Sequence, residues 1–170
     1  MRKTLYLHIG HFKTGTTALQ LFCERNRAAL DRAGLDYADL RLFNSKHSRF
    51  AFSIYRAAGV KTFLYNYDDP TPPEEVWDDL FDYVRASRRR TTLISSEEFI
   101  RMGALPDAAA RFREIVARAP DINLRVIAYL RDPAEHLRSW HNQLVKLGFA
   151  VPGYDRAVCE TMEPVHLDYA

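Results

Sequence analysis

The sequence predicts an α/β domain with a three-layer fold, in which a parallel central sheet is flanked by helices on both faces. Short apolar runs alternate with amphipathic segments of helical length, an order typical of parallel strand–helix–strand units. Polar residues follow three of the apolar runs, at residues 10–17, 95–98 and 131–132. Because ligands of such sheets bind at the carboxyl ends of the strands, we expect these three junctions to meet in one crevice.

The first half of the chain is predicted to hold one strand and three helices. A strand over residues 5–9 leads into a helix from residue 16 to about residue 33, which Gly34 ends. Further helices are expected over residues 47–58 and 74–88, separated by a proline-rich loop.

The second half is predicted to alternate more regularly. A strand over residues 91–95 precedes a helix over residues 107–119. The apolar run at residues 124–130 is predicted to be the central strand of the sheet. Pro133 then starts a helix that runs to about residue 147, with Gly148 at its end.

The composition is that of one globular domain. The chain has 170 residues, of which 47% are hydrophobic and 27% charged, and a formal net charge of +2. So small a net charge gives no reason to expect a nucleic-acid partner.

No segment reaches the ~18 apolar residues of a membrane helix, and His8 and Lys13 interrupt any signal-peptide core, so a cytoplasmic location is expected. Cys23 and Cys159 are too few for a disulfide framework or a zinc site.

The turn after the first strand carries the most specific motif. Gly10 and Gly15 have the spacing of the glycines in a nucleotide triphosphatase P-loop, G-x-x-x-x-G-K-[ST]. Here Thr16 follows the second glycine, and the only lysine, Lys13, lies inside the loop. Backbone N–H groups at the start of the following helix favour an anion. The alternative is an ordinary turn whose glycines and threonines serve only the turn and the helix cap.

This loop resembles the 5′-phosphosulfate loop of the sulfotransferases, which use 3′-phosphoadenosine 5′-phosphosulfate as sulfuryl donor. Residues 7–20 follow the L-H-I-G-x-x-K-T-G-T-T-x-L-Q pattern of bacterial members, and the resemblance extends to about residue 145. It implies a P-loop-like fold in which Lys13 stabilises charge on the leaving 5′-phosphate. The residues implied to cradle that phosphate are Thr14, Gly15, Thr16 and Thr17.

Arg131 and Ser139 form the second motif. A guanidinium at the end of a buried strand needs an anionic partner and can bind a phosphate through two hydrogen bonds. Sulfotransferases have a similar Arg…Ser pair eight residues apart that binds the 3′-phosphate of the donor, so the resemblance implies this role here. The alternative is a salt bridge from Arg131 to a carboxylate such as Asp132, with Ser139 facing solvent.

A general base must take the proton of the acceptor hydroxyl during sulfuryl transfer. Cytosolic sulfotransferases supply a histidine from a K-T-H turn, and Glu97 is implied to be its counterpart by position. Glu98 and then His11 are the alternatives, although Glu98 is also explained by a capping box with Ser95. A glutamate has an intrinsic pKa of about 4.3 against about 6.5 for histidine, so it needs partial desolvation to act as a base.

The resemblance implies transfer of a sulfuryl group to a hydroxyl of a glycan or small molecule, with adenosine 3′,5′-bisphosphate as product. No metal is expected, since His8 and His11 have no carboxylate or cysteine partner at metal-ligand spacing. A P-loop kinase would need Mg²⁺ and a lysine after Gly15, which is absent. A nucleotide-binding remnant or interaction module without catalysis is the other alternative.

Related proteins continue with another strand and a Gly-rich, basic loop over the adenine and 3′-phosphate. Residues 162–170 carry no such loop. We therefore expect residues 1–170 to form a single sulfotransferase-like domain that is truncated at its C-terminal end, or one whose pocket a second subunit of a homo-oligomer completes. Whether the chain alone is active stays open at this point.

Overall fold

The computed structural model describes residues 2–63 and 67–166. Within them, four strands form one parallel sheet in the order β2-β3-β1-β4. The strands are β1 (Lys3–His8), β2 (Leu35–Tyr37), β3 (Thr91–Ser95) and β4 (Ile122–Ile127). Helices flank this sheet, so the predicted α/β class with a central parallel sheet is confirmed.

The described residues also form seven α-helices and two 3₁₀ helices. The α-helices are α1 (Thr16–Arg25), α2 (Arg27–Arg32), α3 (Ser48–Ala57), α4 (Pro73–Ala86), α5 (Pro106–Ala117), α6 (Pro133–Lys146) and α7 (Tyr154–Glu160). The 3₁₀ helices are Glu97–Ala104 and Pro164–His166. None of these helices is long and apolar enough to cross a membrane.

The helix predicted over residues 16–33 is two helices, because Asn26 interrupts it. The side-chain amide of Asn26 donates a hydrogen bond to the carbonyl of Phe22 at 2.8 Å. Asparagine often forms such local bonds, which compete with the helical pattern. The backbone of Asn26 is not helical, with φ −110° and ψ 22°, and the chain continues as α2.

Apolar side chains cover both faces of the sheet at β1. Leu5 and Leu7 point into the larger core, which α3, α4 and α5 complete around the buried Trp77. Tyr6 points to the opposite face, where Cys23 of α1 packs in a smaller cluster. This alternation is the two-residue period of a strand, and it places helices on either side of the sheet.

The prediction that residues 124–130 form the central strand is wrong. β4 ends at Ile127 and lies at the edge of the described sheet. Val126 is 56% exposed and Leu130 is 61% exposed. An apolar run predicts burial but carries no information about whether a further strand pairs with it. Beyond β4, the chain is held to the loop after β1 by backbone hydrogen bonds, such as that from the His11 amide to the Tyr129 carbonyl at 2.9 Å.

Candidate functional site

Residues 10–15 form a tight loop between β1 and α1. Three of them have positive φ angles: Gly10 at 97°, Lys13 at 60° and Gly15 at 88°. Gly15 is the N-cap of α1 and brings no side chain to cap the first turn. The hydroxyl of Thr14 instead donates to the His11 carbonyl at 2.6 Å. No side chain of the cap residue therefore occupies the N–H groups of the first turn of α1, and such groups can bind an anion.

Gly10 is required by a close approach as well as by its backbone angle. A Cβ atom at this position would lie 3.1 Å from both Cα and Cβ of Glu97. The loop therefore packs directly against the start of the 3₁₀ helix 97–104. This contact sets the position of the loop relative to the carboxylates that follow β3.

We expect Gly10→Ala to lower the free energy of unfolding by about 2–4 kcal/mol, from left-handed strain and overpacking together. Gly59→Ala is the matched control, because Gly59 has a φ of 89° but an added Cβ would meet no atom within 4 Å. The control should lose only the strain, about 1–2 kcal/mol. Urea unfolding of both variants measures the difference. Equal losses would contradict the close approach.

The three polar junctions meet in one crevice of about 630 Å³ at the carboxyl end of the sheet. The residues of the predicted site that line it are Lys13, Gly15, Thr16, Thr17, Glu97, Arg131 and Ser139. Thr14 is not among the lining residues. The convergence predicted from the ends of the strands is therefore present in the fold.

Lys13 connects the loop to α6 across this crevice. Its Nζ donates a hydrogen bond to Oε1 of Gln143 at 2.9 Å. Gln143 lies one helical turn after Ser139, so both side chains project from the same side of α6 and both line the crevice. An amide is a neutral partner, so the positive charge of Lys13 is not neutralised by this contact.

Arg131 lies in the crevice but not in the setting that the sequence predicts. It follows the end of β4 by several residues, and its side chain is 40% exposed. Its partner is Glu135, with Nε to Oε2 at 3.0 Å, and not Asp132. The Asp132 carboxylate instead caps α6 by accepting a hydrogen bond from the Glu135 amide at 3.0 Å. An exposed pair of this kind contributes little, so a phosphate can compete with Glu135 for the guanidinium.

Lys46 is a side chain of the crevice that sequence reasoning missed. It forms an ion pair with Glu97 in which the two side chains are 12% and 9% exposed. Gln20 Nε2 donates to the other carboxylate oxygen of Glu97 at 3.1 Å. Burial raises the pKa of Glu97, but the charge and hydrogen bond of Lys46, together with the bond from Gln20, outweigh it and leave this pKa below its ordinary value.

The pKa of the neighbouring Glu98 is shifted in the opposite direction. Burial, followed by the negative charge of Glu97, raises the pKa of Glu98 to about 7. The predicted capping box is wrong by one residue, because the Ser96 hydroxyl accepts from the Glu98 amide at 3.2 Å. Ser95 ends β3, and its hydroxyl lies 2.7 Å from Nδ1 of His8 inside the sheet. Both carboxylates line the crevice.

His11, the third candidate base, is not among the lining residues of the crevice. It is 2% exposed, and its Nε2 lies 2.8 Å from the carbonyl oxygen of Val165. The fold brings it to His136 and His166, and one nitrogen from each ring lies within 4.8 Å of the others. Local spacing in the sequence suggested no metal partner for His11, whereas the fold places two histidines from distant segments beside it.

Comparison with models of known protein families, with curated proteins and with solved structures found no match to this chain.

Proposed function

We propose that this domain binds 3′-phosphoadenosine 5′-phosphosulfate in the crevice and transfers its sulfuryl group to an acceptor hydroxyl. The observation that carries the proposal is the meeting of Lys13 and Arg131 in one crevice at the N-terminus of α1. Nη1 of Arg131 lies 3.4 Å from the Lys13 carbonyl oxygen, so the guanidinium contacts the backbone of the loop that carries Lys13, and both cations line one crevice. A nucleotide with phosphate groups on two positions of its ribose suits such a pair of cations.

In the proposed sulfuryl transfer, the positive charges of the loop and of α1 stabilise the leaving 5′-phosphate. The acceptor oxygen bonds to sulfur as the bond between sulfur and the 5′-phosphate oxygen breaks. Negative charge then grows on that phosphate oxygen, where Lys13 and the first-turn N–H groups of α1 stabilise it. Arg131 and Ser139 hold the 3′-phosphate, and the products are a sulfate ester and adenosine 3′,5′-bisphosphate.

Glu97 is our first candidate for the base, because residues 10–15, which we call the anion loop, pack directly against it and its lowered pKa keeps it ionised. Glu98 is the second, since a pKa of about 7 matches the task of a base at neutral pH. If Glu97 takes the proton, we expect the transfer rate to vary little between pH 5.5 and 8. A fall of about tenfold per pH unit below pH 7 would assign the step to Glu98.

Transfer of radiolabelled sulfate from the donor to a panel of sugar and aromatic hydroxyls tests the proposal. We expect labelled product with at least one acceptor and without added divalent cations. Binding of the donor with no transfer to any acceptor, under conditions where the nucleotide site is saturated, would favour a nucleotide-binding remnant.

A further inference from the structure

Three histidines from three separate segments form a cluster beneath the anion loop. His11 belongs to the loop, His136 to the first turn of α6 and His166 to the 3₁₀ helix Pro164–His166. All three are almost fully buried, at 2%, 0% and 2% exposure. Nε2 of His136 lies 3.1 Å from Nδ1 of His166, and the ring of His11 is 4.4 Å from that of His136 between centroids.

We propose that His11, His136 and His166 bind one divalent transition-metal ion of the zinc class. The three ligand nitrogens lie within 4.8 Å of one another. In a tetrahedral site with Zn–N bonds of about 2.0–2.1 Å, nitrogen atoms are about 3.4 Å apart. Small side-chain movements are therefore enough to place an ion between the three rings. Imidazole nitrogens suit Zn²⁺ and its neighbours, whereas Mg²⁺ and Ca²⁺ prefer oxygen.

The surroundings of the cluster match those of metal-bound histidines. Such histidines usually have their second ring nitrogen fixed by a carbonyl or carboxylate. Here the Val165 carbonyl lies 2.8 Å from Nε2 of His11 and fixes that ring in this way. Burial, and then the neighbouring imidazoles, lower the pKa of His136 to about 4 and that of His166 to about 3. Burial of all three rings favours their neutral form, which is the form that binds metal.

A metal at this position would act on the crevice from outside it. His11 lies two residues before Lys13, and His136 lies on the helix that carries Ser139 and Gln143. Trp140 stacks on His166 with 4.1 Å between ring centroids, and it also lines the crevice. The ion would join the anion loop to α6 and hold the distance between them. This inference does not depend on the sulfuryl-transfer proposal.

Titration with CoCl₂ tests the site. The purified full chain is stripped with a chelator, and visible absorption is followed as Co²⁺ is added. We expect d–d bands of four-coordinate cobalt, bound by the three imidazoles and one water, that saturate at one ion per chain and disappear when ZnCl₂ is added. His136→Ala should weaken cobalt binding by at least about 100-fold. His141→Ala is the matched control on the same helix, because its Nε2 bonds the Pro152 carbonyl at 3.0 Å, away from the cluster.

The wild-type titration decides the proposal even if a variant fails to fold. Absence of cobalt bands in the wild type would overturn it and leave a hydrogen-bonded histidine cluster. Bands accompanied by thiolate-to-cobalt charge transfer would place the ion at Cys23 or Cys159 and would also overturn it. Cobalt bands that persist in a folded His136→Ala variant would also overturn the proposal.

Discussion

Replacing Lys13 with alanine is expected to lower the rate of sulfuryl transfer by about 10²–10³-fold. The Nζ of Lys13 is the cation placed inside the anion loop, and its hydrogen-bond partner is the neutral amide of Gln143. Its charge is therefore available for the oxygen that leaves sulfur in the transition state. Because this charge matters most when the S–O bond breaks, kcat should fall more than the affinity for adenosine 3′,5′-bisphosphate.

Lys146→Ala is the matched control for this variant. Lys146 is the exposed last residue of α6, on the helix that carries Gln143. The control removes the same charge from the neighbourhood without changing the loop, and it should retain the wild-type rate. Unchanged turnover in Lys13→Ala would contradict the proposed role of the loop lysine.

Lys46→Met is expected to lower the free energy of unfolding by about 3–5 kcal/mol, because it leaves the buried carboxylate of Glu97 without its cation. Methionine keeps most of the aliphatic length of lysine, so the loss reports charge more than packing. The pKa of Glu97 should rise, since burial is the largest influence on it once Lys46 is gone. Urea unfolding at neutral pH measures the change.

The double variant Lys46→Met/Glu97→Gln separates charge from packing. Removing both charges should restore much of the stability, with a coupling free energy of about 1–3 kcal/mol. If the double variant instead loses as much stability as the two single variants together, the ion pair contributes nothing beyond its packing.

The convergence of the site could be predicted from the sequence, because it follows from topology. Parallel strands place their carboxyl ends at one edge of the sheet, so the residues after β1 and β3 had to meet. The loop around Lys13 could be predicted from its glycine spacing alone. Glu97 lies in the crevice because it follows β3, and Ser139 lies there because it is on α6, which begins just after Arg131.

The remainder depends on contacts between distant segments. Lys46 lies 51 positions before Glu97, with no motif around it. It comes near Glu97 through contacts such as the backbone hydrogen bond from the His47 amide to the Ser95 carbonyl at 2.9 Å. The histidine cluster likewise joins residues from both ends of the chain. The setting of Arg131 was mispredicted because periodicity reports the polarity of a run, whereas strand pairing decides whether that run is central or at an edge.

Calorimetric titration of the wild-type chain with adenosine 3′,5′-bisphosphate tests the central claim most directly. We predict one site per chain with the same affinity with and without added Mg²⁺. Arg131→Gln should weaken binding by about 1.5–3 kcal/mol, or about 10- to 150-fold, whereas Arg138→Gln, at an exposed position on the neighbouring helix α6, should not. Absence of binding, or binding only when Mg²⁺ is added, would contradict the account.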